Sequence, residues 1–120
     1  MGAFKSFISL MATRPIERSN EHEGVGPISF RRLLESTDFT APVDFVDYTI
    51  IPPGSAIGRH QHVGNEEIYF IAAGSPLVRV NATEARLEMG SLAIAHQNDW
   101  HELINDSDQP VEILVIQIRT

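Results

Sequence analysis

One group of side chains with the types and spacing of a metal site lies in a short stretch of the sequence and at one later position. His60 and His62 are separated by one residue, and two glutamates, Glu66 and Glu67, follow a short turn-forming sequence. Because side chains alternate between the two faces of a strand, histidines at this spacing point the same way. His101 begins a later predicted strand and offers a third imidazole. Such side chains can bind a divalent metal, or they can be solvated residues of loops and strand ends.

The composition limits the chemistry that is available. The chain has 120 residues and no cysteine, which excludes disulfides, thiolate metal ligands and a cysteine nucleophile. Any metal must therefore be held by histidine and carboxylate side chains. The 16 acidic residues outnumber the 9 Lys and Arg, for a net charge of -7, so neither nucleic acid nor an anionic membrane is an expected partner. The lack of cysteine also fits the reducing cytoplasm, which is the expected location.

The elements that must position these side chains are short strands. From Ile28 onward, stretches rich in Val, Ile, Phe and Tyr alternate with turn residues, the pattern of an all-β sandwich or barrel. A helical turn is predicted near residues 33–37. Residues 1–27 are predicted to be an N-terminal arm and linker, and residues 28–120 a single folded domain. The predicted strands are 28–33, 43–51, 67–72, 77–82, 85–89, 92–95, 100–105 and 111–119.

The N-terminal arm carries several apolar side chains. Phe4, Phe7 and Ile8 are among them, but no hydrophobic run is long enough for a signal peptide or a transmembrane helix. Exposed apolar side chains and open sheet edges need a cover, so an arm of residues 1–17 that covers a sheet predicts a homodimer. His22, in the polar linker, is expected to have no role.

The order of residues around the two histidines resembles the first motif of the cupin family. That motif is G(X)5HXH(X)3-4E(X)6G, and this chain matches it with the following residues: Gly54, His60, His62, Glu67 and Gly74. The match gives the histidine pair a context that an isolated H-X-H sequence lacks. It therefore favours a metal site over a pair of solvated histidines.

A later stretch is similar to the second cupin motif, G(X)5PXG(X)2H(X)3N. Gly90, His101 and Asn105 stand at the required positions. His96 occupies the place of the motif's proline, and Asn98 occupies the place of its second glycine. Because asparagine adopts the left-handed conformation more readily than other residues with a side chain, the turn at Asn98 is expected to be kept. The proline replacement leaves the conformation of the turn open.

The resemblance implies a cupin-type double-stranded β-helix, a small jelly-roll β-barrel, with one divalent transition metal inside. By residue-for-residue correspondence the metal ligands are His60, His62, Glu67 and His101. Glu66 is the alternative carboxylate, but only Glu67 lies at the motif's distance from its closing glycine. Three nitrogen ligands and one oxygen ligand suit Fe, Mn, Ni, Cu or Zn.

Function does not follow from this fold alone, because cupins include dioxygenases, isomerases, decarboxylases, lyases and non-catalytic binders. The resemblance favours a metal-dependent enzyme that acts on a small oxygen-rich metabolite. The alternatives are a non-catalytic small-molecule-binding cupin and an accessory protein of a biosynthetic pathway. Tyr69 shares the predicted inward face of Glu67, so it is either a catalytic residue or a core aromatic. Only one of Arg31 and Arg32 can point inward toward an anionic substrate; a surface pair is the preferred interpretation.

Overall fold

The computed structural model describes residues 5–120, so Phe4 of the predicted arm lies outside the described residues. Within this range two 3-10 turns, Glu21–Glu23 and Ser36–Asp38, are the helical segments, and the second overlaps the predicted helical turn. None of the described helical segments has the length and apolar character needed to cross a bilayer. The architecture therefore depends on strands.

Antiparallel strands form two sheets. The strands of the described chain are β1 Ile16–Ser19, β2 Pro27–Glu35, β3 Val43–Ile51, β4 Ala56–Gln61, β5 Asn65–Ala73, β6 Leu77–Val80, β7 Thr83–Arg86, β8 Leu92–Ala95, β9 Trp100–Ile104 and β10 Val111–Arg119. One sheet has six strands in the order β1-β2-β3-β10-β5-β8, and the other has four in the order β4-β9-β6-β7. The predicted all-β jelly roll is confirmed.

The core lies between the two sheets, and the period-2 pattern of the strands explains why. In β10, Val111, Ile113 and Val115 are buried, whereas the residues between them are partly exposed. This strand pairs with β3 on one side and β5 on the other, so it runs through the centre of the larger sheet. Leu103, on β9, is fully buried and belongs to the same hydrophobic cluster. Each such side chain stabilises the fold by about 1.5–3 kcal/mol.

Two strands were not predicted, and each has a physical reason. Strand β1 lies within the predicted arm and linker, and all four of its residues are exposed. Its sequence therefore lacks the alternation of buried apolar and exposed polar residues that predicts a strand, and its pairing with β2 could not be foreseen. Strand β4 is interrupted by Gly58, and its pairing with β9 shifts register between Ile57 and His60. The boundaries of β3, β8 and β10 agree with the predicted strands. The predicted strand 85–89 is displaced, because β7 occupies Thr83–Arg86.

Candidate metal centre

The candidate metal centre lies between the sheets because both contribute side chains to it. His60 is in β4 and faces His101 of β9 in the antiparallel register. His62 follows directly after the end of β4, and the chain then reverses through Gly64, which has a φ of 79°. This reversal starts β5, which brings Glu67 to the histidines from the larger sheet.

The structure brings together the four side chains that the motifs predicted. One ligand-type atom from each of His60, His62, Glu67 and His101 lies within 4.8 Å of all the others. Nε2 of His101 is 2.7 Å from Nε2 of His62 and 3.0 Å from Nε2 of His60. Oε1 of Glu67 is 3.3 Å from Nε2 of His101 and 3.4 Å from Nε2 of His62. The three imidazoles and the carboxylate therefore converge on one small volume.

The hydrogen bonds of the Nδ1 atoms show which ring nitrogen each imidazole presents to the cluster. Nδ1 of His60 donates to the carbonyl oxygen of Gly58 at 2.7 Å, and Nδ1 of His62 donates to Oδ1 of Asn65 at 2.5 Å. A neutral imidazole has one N–H, so in their neutral forms these two rings both present an Nε2 lone pair to Nε2 of His101. Nδ1 of His101 is buried and has no hydrogen-bond partner among the described residues.

A single N–H on Nε2 of His101 can point to only one of these two lone pairs, so the other is left facing a ring nitrogen. A buried carboxylate without a countercharge is also costly. A cation held between the Nε2 atoms and Glu67 would remove both penalties. The side chains present therefore fit a divalent transition metal.

The electrostatics of the cluster favour the protonation state that a metal needs at three of the four side chains, and His62 is the exception. Burial lowers the pKa of the His60 imidazole to about 4, and burial also lowers the pKa of His101. For Glu67, burial raises the pKa, but hydrogen bonds with His101 and His62 outweigh that effect and lower it to about 2. For His62, the interaction with Glu67 outweighs burial and raises the pKa. At neutral pH the cluster presents an ionised carboxylate beside neutral imidazoles of His60 and His101.

Tyr69 also reaches the cluster. Its side chain is buried, its ring stacks on His101 with centroids 4.6 Å apart, and its hydroxyl is 3.2 Å from Nε2 of His101. Burial raises the pKa of this hydroxyl well above its usual value, with a further contribution from Glu67. The phenol therefore stays neutral and can donate a proton or a hydrogen bond.

The alternative carboxylate, Glu66, lies outside the cluster. Its Oε2 is 2.8 Å from Nδ1 of His96, an exposed side chain. The turn beyond β8 uses His96 in a way that proline could not, because the backbone N–H of His96 donates to Oδ2 of Asp99. Asn98 has a φ of 74°, the left-handed conformation expected of it. The turn is thus kept despite both departures from the motif.

A cavity of about 380 Å³ opens next to the cluster, and charged residues line it. Arg32 lines this cavity and forms a bidentate ion pair with Asp47, with both N–O distances 3.0 Å. Arg31 points elsewhere and donates to the carbonyl oxygen of Thr13. Arg32 is therefore the arginine of the pair that faces the cavity, and its side chain is still partly exposed to solvent.

Sequence reasoning missed three other lining residues, Arg18, His22 and Asp47. Arg18 lies in the unpredicted strand β1, and its guanidinium lies 5.0 Å above the ring of Phe30. The inward alternation of β3 places Asp47 beside the cavity, which the sequence pattern could have indicated. No sequence signal placed Arg18 or His22 there.

In this small jelly roll, three histidines and one glutamate converge between the two sheets. This combination of fold and site defines a class of metal-binding β-barrel proteins. Residues 47–117, more than half of the chain, match the cupin domain family. The chain belongs to the cupin family.

Known relatives share both sequence and fold with this chain. An oxalate-binding protein of Thermotoga maritima is 26% identical over 104 residues, which cover 87% of this chain and 86% of the relative. The tetracenomycin polyketide synthase protein TcmJ of Streptomyces glaucescens is 27% identical over 86 residues, which cover 72% of this chain and 58% of that protein. A crystal structure of a predicted oxalate decarboxylase from Thermotoga maritima superposes with a TM-score of 0.93 at 23% identity. This match covers 96% of this chain and 100% of that chain, and it shows a shared fold.

Proposed function

We propose that this cupin holds one divalent transition metal through His60, His62, Glu67 and His101 and acts as an enzyme on a small oxygen-rich metabolite. The observation that carries the proposal is the convergence of three imidazole nitrogens and a carboxylate oxygen beside a cavity. A metal bound there would supply Lewis acidity or activate oxygen. The remaining steps belong to the chain's own residues.

The charges around the cavity favour an anionic metabolite. Arg18 and Arg32 line the cavity together with the carboxylates of Glu21, Asp47 and Glu67. Addition of a divalent cation leaves a net positive charge, which attracts an anion. Arg32 is already paired with Asp47. Within residues 5–120 the ion-pair partner of Arg18 is Glu21, at a long 3.7 Å, so the Arg18 guanidinium is the one best placed to bind a carboxylate.

Tyr69 is the proposed catalytic residue. Its neutral, buried hydroxyl lies at the cluster, 3.2 Å from Nε2 of His101, on the face that Glu67 shares. It can donate a hydrogen bond to an oxygen of the metabolite and hold that oxygen in place. The similarity to a protein named for oxalate binding supports small dicarboxylates as the first compounds to test.

A non-catalytic binding protein is the second candidate. Asp47 is held by Arg32, and Glu67 belongs to the cluster, so neither carboxylate is free to act as a general base. The match to a polyketide synthase protein, of which this chain spans 58%, supports a third role as an accessory protein of a biosynthetic pathway. Turnover separates the first candidate from the other two.

The test combines calorimetry and a turnover assay on metal-loaded protein. Oxalate, malonate and pyruvate are titrated into wild type and into His62→Ala, and each mixture is then assayed for loss of the compound. The proposal expects binding to wild type alone, followed by consumption of at least one compound. Binding without consumption would favour the binding protein, and equal binding by His62→Ala would contradict the proposed site.

The proposed partner for assembly is a second copy of this chain. Phe7 and Met11 of the arm are 96% and 78% exposed, although both are large apolar side chains. Leu92 and Ile94 lie on β8, an edge strand of the larger sheet, and are 64% and 42% exposed. Burial of these side chains against a second copy would remove apolar surface from water, which supports a homodimer.

A further inference from the structure

The segment from Asn20 to Gly24 has an unusual backbone. Asn20, His22 and Glu23 have φ values of 54°, 53° and 61°, the left-handed conformation that residues other than glycine rarely adopt. The segment includes the first 3-10 turn and lies in the predicted linker. A surface linker without constraints would relax to an ordinary conformation, so something must hold this segment in place.

Two glycines hold it against β4. The backbones of Gly24 and Gly58 approach so closely that a Cβ on Gly58 would overlap the carbonyl oxygen of His22 and lie 2.6 Å from the nitrogen of Gly24. Val25 and Ala56 form an antiparallel bridge beside this contact, with N–O distances of 3.2 and 2.8 Å. The segment is therefore fixed to β4 just before the strand reaches His60.

The consequence is a ring stack at the metal centre. The imidazoles of His22 and His60 have centroids 3.7 Å apart and planes 12° from parallel. The edge of His101 approaches the same ring with centroids 4.5 Å apart and an angle of 66°. His60 is the least buried histidine of the cluster, and His22 covers one of its faces.

We infer that His22 is a positioning residue for His60. The carbonyl oxygen of Gly58 fixes the direction of the His60 ring through Nδ1, and the stack with His22 fixes its tilt. Together these contacts aim Nε2 of His60 at the cluster. His22 is not one of the residues whose ligand atoms converge, so it acts through the ring that it covers. The consequence for metal binding rests on the proposed function, whereas the stack itself does not.

The experiment compares His22→Asn with His22→Phe. Asparagine tolerates the left-handed backbone but removes the ring, whereas phenylalanine keeps an aromatic face for stacking. The control is His96→Ala, which changes an exposed histidine paired with Glu66. Histidine ring signals are recorded by NMR at neutral pH before and after zinc addition, and cobalt affinity and the cobalt absorption spectrum are measured on the same variants.

We expect a specific pattern of NMR signals, cobalt affinities and cobalt spectra among the variants. In His22→Asn the His60 ring signals lose the ring-current shift of the stack, cobalt affinity falls about tenfold and the cobalt spectrum changes. His22→Phe restores both the spectrum and most of the affinity, and His96→Ala behaves as wild type. If His22→Asn retains the wild-type affinity and spectrum, the inference is overturned.

Equal losses in His22→Asn and His22→Phe would make His22 a ligand rather than a positioning residue, which also overturns it. If wild type binds neither cobalt nor zinc, the proposed function fails. In that case, unchanged His60 signals in His22→Asn would overturn the stack as well, and shifted signals would support it.

Discussion

The metal-free protein should become less stable as the pH falls from about 6.5 to about 4, because the buried His60 ring resists protonation in the folded state. Burial lowers the pKa of this ring from 6.5 to about 4, so within that window the unfolded chain binds the proton and the folded chain does not. The unfolded state is therefore favoured as the pH falls. The full difference in pKa corresponds to about 3 kcal/mol. Because part of the ring is accessible to solvent, we expect a loss of about 2 kcal/mol.

The assay is urea unfolding of chelator-treated protein at about pH 7.5 and about pH 4.5, for wild type and His60→Gln. His101, whose pKa burial also lowers, titrates in both proteins, so the difference between them isolates His60. Glu67 acts in a lower window: its pKa is lowered to about 2, so its contribution is present above 4.5 and is lost as the pH falls toward 2. If wild type and His60→Gln lose the same free energy of unfolding between the two pH values, the reasoning is refuted.

The remaining predictions concern the cavity and the arm. Tyr69→Phe should keep the metal but lower turnover about 10- to 100-fold, because a proton donor beside His101 is removed. If elemental analysis shows that the variant has lost its metal, the role of Tyr69 is structural instead. Arg18→Ala should weaken dicarboxylate binding about tenfold in calorimetry, with partial recovery in Arg18→Lys, and equal affinity in all three proteins would exclude the arginine. Deletion of residues 1–12 removes the exposed Phe7 and Met11, so the molar mass measured by light scattering should fall toward that of the monomer. A variant that is still a dimer would show that the arm is dispensable for dimer formation.

The sequence predicted the parts of the site that depend on short-range spacing. His60 and His62 share a face because they are two residues apart, and the motif distance to the closing glycine selected Glu67 over Glu66. The structure places Glu67 in the cluster and Glu66 beside His96, as that spacing required. The bounds of β3, β8 and β10 followed from stretches rich in Val, Ile, Phe and Tyr, which are a local property of the sequence.

The parts that the sequence did not predict depend on contacts between distant segments. Arg18 reaches the cavity because β1 pairs with β2, yet β1 is short and exposed and has no apolar pattern. His22 reaches His60 because Gly24 and Gly58 allow two backbones to approach, and neither glycine reveals its partner in the sequence. The missing proline at position 96 was compensated by Asp99, a contact specific to this turn.

Metal content decides whether His60, His62, Glu67 and His101 hold one metal, which is the assignment on which the proposed function depends. Wild type, His62→Ala, Glu67→Gln and Glu66→Gln are purified without chelators, and their metal is measured by elemental mass spectrometry against protein concentration. We predict one metal per chain in wild type and in Glu66→Gln, because Glu66 pairs with His96 outside the cluster. We predict a marked loss of metal in the other two variants. The same metal content in all four proteins, or none in wild type, would contradict this assignment.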